Sequence, residues 1–320
     1  MEPTAATPLV IVAGPTASGK SALALALAEA LRGTIINADS MQVYRDLAVL
    51  TARPGAAELA RAPHRLYGMI DAAEACSAGR WRDLALAEIA AARAEDRLPI
   101  LAGGTGLYLR AVLDGLAPVP PVPPAIRAAA RALHAELGGP AFRAALAAVD
   151  PEAAGRLAAG DTQRLIRAYE VAQATGKTLA AWRRGQSAPD FRAAAILLLP
   201  PREVLYEACD ARFLAMMRQG AEAEVGSLLA RQLDPALPAM KAVGVPELAQ
   251  LIAGRLPRET AIAAAQQATR RYAKRQYTWF RHQLREGAGL SKQVVAEQFS
   301  ESLLPEILSF IRQFLLTIKV

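Results

Sequence analysis

Eight residues near the N-terminus, Gly14-Pro15-Thr16-Ala17-Ser18-Gly19-Lys20-Ser21, have the spacing G-x-x-x-x-G-K-[ST]. That spacing suits a polyphosphate. The two glycines let the backbone curl until successive N–H groups point at one anion. Lys20 adds a mobile cation, and the Ser21 hydroxyl suits a Mg²⁺ carried by the phosphates. A helix opening at Ser21 would add the positive end of its dipole. A chance glycine-rich turn is the bland alternative, but the loop lies between a predicted strand and a predicted helix, as the motif requires. The loop by itself fits ATP, another nucleotide or any other polyphosphate.

Further candidates lie at the ends of later apolar runs. Asp39 and Ser40 follow Thr34–Ala38, where a parallel strand would deliver them to the ligand crevice. For Asp39 three readings stand: a Mg²⁺ ligand, a general base, or a helix N-cap. Thr105 lies in Gly103-Gly-Thr-Gly106, where glycines admit a substrate closely, although a tight strand–helix turn explains them nearly as well. Arg270, Arg271, Lys274, Arg275, Arg281 and Arg285 occupy a stretch without an acid from Ala261 to Arg285. Helical spacing gathers them on adjacent faces, which favours phosphate binding over an ordinary solvated surface. Gln163, Arg164 and Arg167 share one face of a second predicted helix, bounded by Asp161 and Gly176 as cap residues.

The elements that must hold these groups alternate. Leu9–Ala13, Thr34–Ala38 and Leu98–Ala102 read as strands, with helices over Ser21–Leu31 and around Trp81–Glu95. The alternation stops at the proline-rich connector Pro118–Pro124, and Ala125 to about Gln186 reads as helix only. Ala193–Leu199 returns as a strand. The expected fold class is α/β: a P-loop parallel sheet flanked by helices, with an inserted all-helical domain. The expected boundaries are 1–117 with 191–290 for the core, 118–190 for the insertion, and 291–320 for a C-terminal helical tail without an assigned role.

Composition narrows the setting. The 320 residues are 53% hydrophobic, enough for a sizeable core, and carry a formal net charge of +7 that leans toward an anionic partner. No apolar run approaches the ~18 residues of a membrane span. The first apolar run leads into the phosphate motif rather than a cleavage site, and two cysteines are too few for a disulfide framework. A cytoplasmic protein without an obligate protein partner is expected.

Taken in order, the motifs resemble one family. GPTASGKS at 14–21, DSMQVYR at 39–45, TARP at 51–54 and PHRL at 63–66 are followed by ILAGGTGLYL at 100–109, DTQRLIRAYEV at 161–171, KAVGVPEL at 241–248 and ATRRYAKRQYTWFR at 268–281. This set is similar to that of the tRNA dimethylallyltransferases, or tRNA isopentenyltransferases, over residues 8–285. Arg65, Cys76 and Val245-Pro246 depart from the family's usual residues. The resemblance implies dimethylallyl diphosphate as donor, Mg²⁺ as cofactor, and as acceptor the adenosine just 3′ of the anticodon, in the anticodon stem-loop of tRNAs reading U-starting codons.

It further implies that Gly14 to Ser21 bind the diphosphate, that Asp39 accepts the proton, and that Arg212 assists at the diphosphate. Asp39, Ser40, Met41 and Gln42, with Gln163, Arg164, Leu165, Ile166 and Arg167, match tRNA-contacting segments; Thr105 and Arg127 match single positions for tRNA engagement. Arg271, Lys274 and Arg275 on the basic helix are the further tRNA candidates. Three rivals remain at this point: a small-molecule P-loop kinase, an enzyme prenylating free adenylate, and a non-catalytic RNA-binding protein. The kinase accounts for the loop but not for the basic helix; the adenylate enzyme needs neither that helix nor the insertion; the RNA-binding protein needs neither Lys20 nor Asp39.

Overall fold

The run Thr7–Ala13 forms β1, whose last five residues are completely buried because the strand is covered on both faces. Alternate side chains enter different cores: Leu9 and Ile11 point to one side of the sheet, Val10 and Val12 to the other. In the computed structural model, which describes residues 7–185, 191–284 and 289–318, the chain divides into two compact units, Met1–Leu113 with Asp190–Val320, and Asp114–Pro189.

In the first unit β1 is followed by α1 (Lys20–Ala30), β2 (Gly33–Asn37), α2 (Ala56–Leu59), β3 (His64–Arg65), α3 (Ala78–Ala94), β4 (Leu98–Gly103) and α4 (Gly106–Leu113). Among its described residues the second unit contains only helices: α5 (Pro124–Ala147), α6 (Pro151–Arg156), α7 (Thr162–Thr175) and α8 (Leu179–Arg183). Its centre is Phe142, Leu146 and Leu165, all fully buried. Helix α5 kinks at Gly138, where φ is +69°, just before Pro140. The first unit then resumes with β5 (Phe191–Leu198), α9 (Arg202–Arg218), α10 (Ala221–Ala230), α11 (Val245–Ile252), α12 (Arg258–Gln283), β6 (Leu290–Val295) and α13 (Leu304–Ile318).

All six strands are parallel, in the order β3-β2-β4-β1-β5-β6. The expected α/β class with a P-loop parallel sheet and an all-helical second unit is therefore observed. The connections leave β1 in one direction toward β2 and return to its other side at β5. That reversal opens a crevice at the carboxyl ends of the central strands. Loops after β1, β2 and β4 meet there.

Residues 291–320 are not a separate helical tail. Lys292 to Val295 pair in register with β5, and α13 packs Ile307 and Ile311 against Val10, Leu23 and Ile196 on one face of the sheet. The strand β6 is hidden in the sequence because it is an edge strand of mixed polarity with one buried residue, Val295, so no clean period of two develops. β3 is hidden because it is two residues long.

If α13 belongs to the core, Ile311→Ala should lower unfolding free energy by about 2–5 kcal/mol, read from the denaturation midpoint in urea. A midpoint equal to that of the wild type would make α13 an appended arm.

Candidate active site

The loop after β1 is shaped from both ends. Gly19 precedes α1 with φ +89°, a conformation that favours glycine, and a Cβ there would lie 2.8 Å from Phe299. Phe299 N–H donates to the Ser18 carbonyl at 3.3 Å, and the Gln298 amide donates to the Ala17 carbonyl at 3.3 Å. Residues after β6 thus back the loop directly. Inside it, the Ser18 hydroxyl is buried and finds no hydrogen-bond partner among the described residues. Lys20 Nζ reaches the Pro15 carbonyl at 3.3 Å.

Two cations converge beside this loop. Burial pulls the Lys20 ammonium down to about 8, against the opposing attraction of Asp39; the Arg212 charge lowers it further. Arg212, from α9, is itself lowered by burial, and its guanidinium donates to the Thr16 hydroxyl. Asp39 is the carboxylate that acts on both.

Asp39 is held by a buried amide. The Asn37 Oδ1 accepts the Asp39 N–H at 2.8 Å, while its Nδ2 donates to the Asp39 and Leu66 carbonyls, each at 3.0 Å. Asp39 Oδ1 accepts the Met41 N–H at 2.9 Å. No helix begins here, so the helix N-cap reading of Asp39 is replaced by a turn in which one carboxylate oxygen braces the backbone. Thr105 closes the corner: its hydroxyl accepts the Ser40 N–H at 2.9 Å and donates to Ser40 Oγ at 3.2 Å. Tyr272 of α12 hydrogen-bonds to Thr105, and burial raises its phenol, which stays protonated.

Several of these groups, though not Lys20 or Thr105, line a cavity of about 170 Å³. Its polar wall includes Thr16, Asp39, Ser40, Arg212 and Tyr272; its apolar wall includes Met41, Leu50, Phe213 and Met216. The segment carrying Leu50 is pinned by Glu224 of α10, whose carboxylate accepts the N–H groups of Ala48, Val49 and Leu50 at 2.7, 2.7 and 2.9 Å. Lys241 and Val243 lie on the rim.

Several sequence expectations change in detail. Ser21 does not line this cavity but a smaller pocket beyond α1, with Glu58, His64 and Tyr67. The Gln42 amide is engaged by the Thr51 and Ala52 carbonyls at 2.9 and 3.1 Å. Leu165 is fully buried in the second unit's core and cannot present its side chain to a tRNA, and Ile166 packs against the same core, while Gln163 and Arg164 are exposed. Arg164 and Arg167 reach Asp161 and Glu170 at 3.8 and 3.7 Å. Arg127 is exposed on α5.

Arg270 is not an uncompensated cation, because Asp210 of α9 binds it at 2.6 Å. Arg271, Lys274 and Arg275 are exposed and have no ion pair among the described residues; Arg285 lies outside the described residues. Phe213, Met216 and Leu50 were not anticipated, since apolar residues at helical or loop positions resemble core. Gln276, which accepts the Thr16 N–H at 2.8 Å, was hidden among the arginines of its helix.

The parallel sheet, its phosphate loop and the cation pair define a P-loop α/β enzyme. The IPP transferase family matches residues 42–283. A tRNA dimethylallyltransferase of Rhodospirillum centenum is 59% identical over 283 residues, covering 88% of this chain and 90% of the relative. Another, of Rhodospirillum rubrum, is 56% identical over 313 residues, covering 97% and 96%. The crystal structure of a tRNA isopentenylpyrophosphate transferase from Bacillus halodurans is similar with a TM-score of 0.69 at 30% identity, covering 98% of both chains. The chain belongs to the tRNA dimethylallyltransferase family of prenyltransferases.

An enclosed ammonium with its pKa lowered is a strain on the free protein. Because the folded value lies below the ordinary 10.5, the strain is full below pH 8 and disappears as pH rises toward 10.5. Lys20→Met should therefore raise the melting temperature at pH 7, by an amount that shrinks as pH rises from 8 to 10. A variant that melts lower at pH 7 would show that Lys20 stabilises the fold.

Proposed function

We propose that the protein transfers the dimethylallyl group of dimethylallyl diphosphate to the exocyclic N6 amine of the adenosine 3′ of the anticodon, in tRNAs reading U-starting codons, releasing diphosphate. The observation that carries the reading is the division of one cavity into a polar wall, bearing Arg212 and Asp39, and an apolar wall. A short hydrocarbon esterified to a diphosphate has the same division.

An adenine amine is a weak nucleophile, since its lone pair is delocalised into the ring. The donor offsets this because the allylic C1–O bond breaks readily, with positive charge at C1 and negative charge on the departing oxygens. Lys20, Arg212 and the loop N–H groups stand where that negative charge develops, in an enclosed site where such donors are most effective. As the N6–C1 bond forms, the amine proton passes to Asp39, whose braced turn fixes the direction of approach. The effect of a positioned base is typically ~10²–10⁴-fold. The Thr105–Ser40–Tyr272 corner would hold the flipped base against the glycine-lined end of β4.

The donor set fits Mg²⁺ of the phosphate-carried type. Among the described residues no three His, Cys, Asp or Glu side chains form a metal cage, so Mg²⁺ would arrive on the phosphates, with the Ser21 hydroxyl as the loop's candidate ligand. Bound there, Mg²⁺ would neutralise charge on the leaving diphosphate. Exposed Arg271, Lys274 and Arg275 of α12 supply tRNA phosphate contacts, together with Arg127, Gln163, Arg164 and Arg167 of the helical unit. An acceptor in the tRNA pool sets the protein in the cytoplasm.

The test is to incubate the protein with labelled dimethylallyl diphosphate, Mg²⁺ and either tRNA or AMP. Label should enter tRNA alone, at the adenosine 3′ of the anticodon; label in AMP would move the reading to free-nucleotide prenylation. Asp39→Asn should lower kcat by about 10²-fold or more while donor KM changes little. Wild-type turnover in that variant would leave Asp39 as a brace only.

Replacing Arg271, Lys274 and Arg275 together by Gln should raise KM for tRNA and flatten the log–log salt dependence by about two to three units. Donor KM should stay unchanged. Unaltered tRNA affinity and slope would remove α12 from the tRNA surface.

A further inference from the structure

A buried polar side chain that the proposed chemistry does not use is Gln276 of α12, 6% exposed. Its Oε1 accepts the Thr16 N–H at 2.8 Å, and its Nε2 donates to the Gly104 carbonyl at 2.9 Å. The two partners fix the amide's orientation, because only a nitrogen can face the carbonyl and only an oxygen the N–H. Gly104 admits this contact by lacking a side chain: a Cβ there would lie 2.2 Å from Nε2.

The two backbone groups belong to different halves of the site. Thr16 stands in the phosphate loop after β1 and carries the hydroxyl that Arg212 engages. Gly104 follows β4 and precedes Thr105, which holds Ser40 beside Asp39. β1 and β4 are neighbours in the sheet, so their loops face each other across the crevice. One amide thus ties the loop facing the leaving group to the corner facing the amine. Removing it would leave a buried N–H and a buried carbonyl without partners.

We propose that Gln276 is a positioning residue, which sets the separation between the diphosphate loop and the Asp39–Thr105 corner and so aligns C1 with the amine. The proposal rests on the reading above, in which the donor's diphosphate lies at the loop and the amine at Asp39. In-line displacement is sensitive to such spacing; a misplacement of ~1 Å can lower rate ~10²-fold.

The experiment compares Gln276→Met and Gln276→Glu with the wild type in the full chain. Met keeps the length of the side chain and loses both hydrogen bonds. Its kcat on tRNA should fall about 10²-fold, while filter-binding affinity for tRNA and thermal stabilisation by inorganic diphosphate change less than about threefold. Glu can still accept from Thr16 N–H, but it opposes an oxygen to the Gly104 carbonyl unless protonated. Its kcat should recover as pH falls, with an inflection absent from the wild type and from Gln276→Met.

A Met variant within threefold of wild-type kcat, a loss of kcat matched by equal loss of tRNA affinity, or a Glu variant with the wild-type pH profile would each overturn the proposal. Amide exchange at Thr16 separates this from the proposed reaction. The amide should exchange slowly in the wild type and fast in Gln276→Met whatever the substrate. Equal rates would overturn the brace, whereas a wild type that prenylates no tRNA, with the exchange difference intact, would overturn the reaction instead.

Discussion

An imbalance of charge governs this molecule: Lys20 and Arg212 are half-buried at the carboxyl end of a buried sheet, and Asp39 is the carboxylate that bears on both. Such cations are tolerated only where structure holds them in place. β1 and α1 fix Lys20, α9 fixes Arg212, and the Asn37 amide fixes the turn carrying Asp39. The positive field is therefore built into the free protein, so an anion entering the crevice meets groups already oriented.

The same economy of parts extends to α12. One side of this helix enters the first unit with Ala265, Ala273 and Phe280, and Thr269 and Tyr272 reach the cavity. Its outer side carries Arg271, Lys274 and Arg275. A helix of 26 residues can do both because its 3.6-residue period separates the faces while its length keeps them rigidly coupled. Arg270 falls between the faces and is taken up by Asp210.

What could be read from the sequence follows from how local each feature is. The phosphate loop was plain because its glycines, lysine and serine are contiguous and their spacing is itself the geometry. Asp39 was located by the strand before it, but its turn depends on Asn37, whose side chain gives no sign in sequence that it bonds Leu66, 29 residues away. Arg270 was counted with free cations because Asp210 lies 60 residues earlier, on another helix. Leu165 was carried along with a contiguous segment, although a helix turns every such segment partly inward. The apolar wall was invisible for a general reason: Phe213 and Met216 differ from core residues only in what stands opposite them.

The order of the strands has a consequence for how the protein is made. β1 and its phosphate loop leave the ribosome before β4 and β5, which flank that strand and are separated by the whole helical unit. The residues touching the back of the loop, Gln298 and Phe299, come after β6, with Gln298 281 residues beyond Ala17. Until β4 emerges β1 is an apolar strand with two open edges, and its second edge and the back of its loop stay uncovered until β5 and the residues after β6 follow the helical unit. An interrupted chain thus leaves an adhesive strand rather than a weak enzyme, and the part of the site that is translated first is the last to be completed.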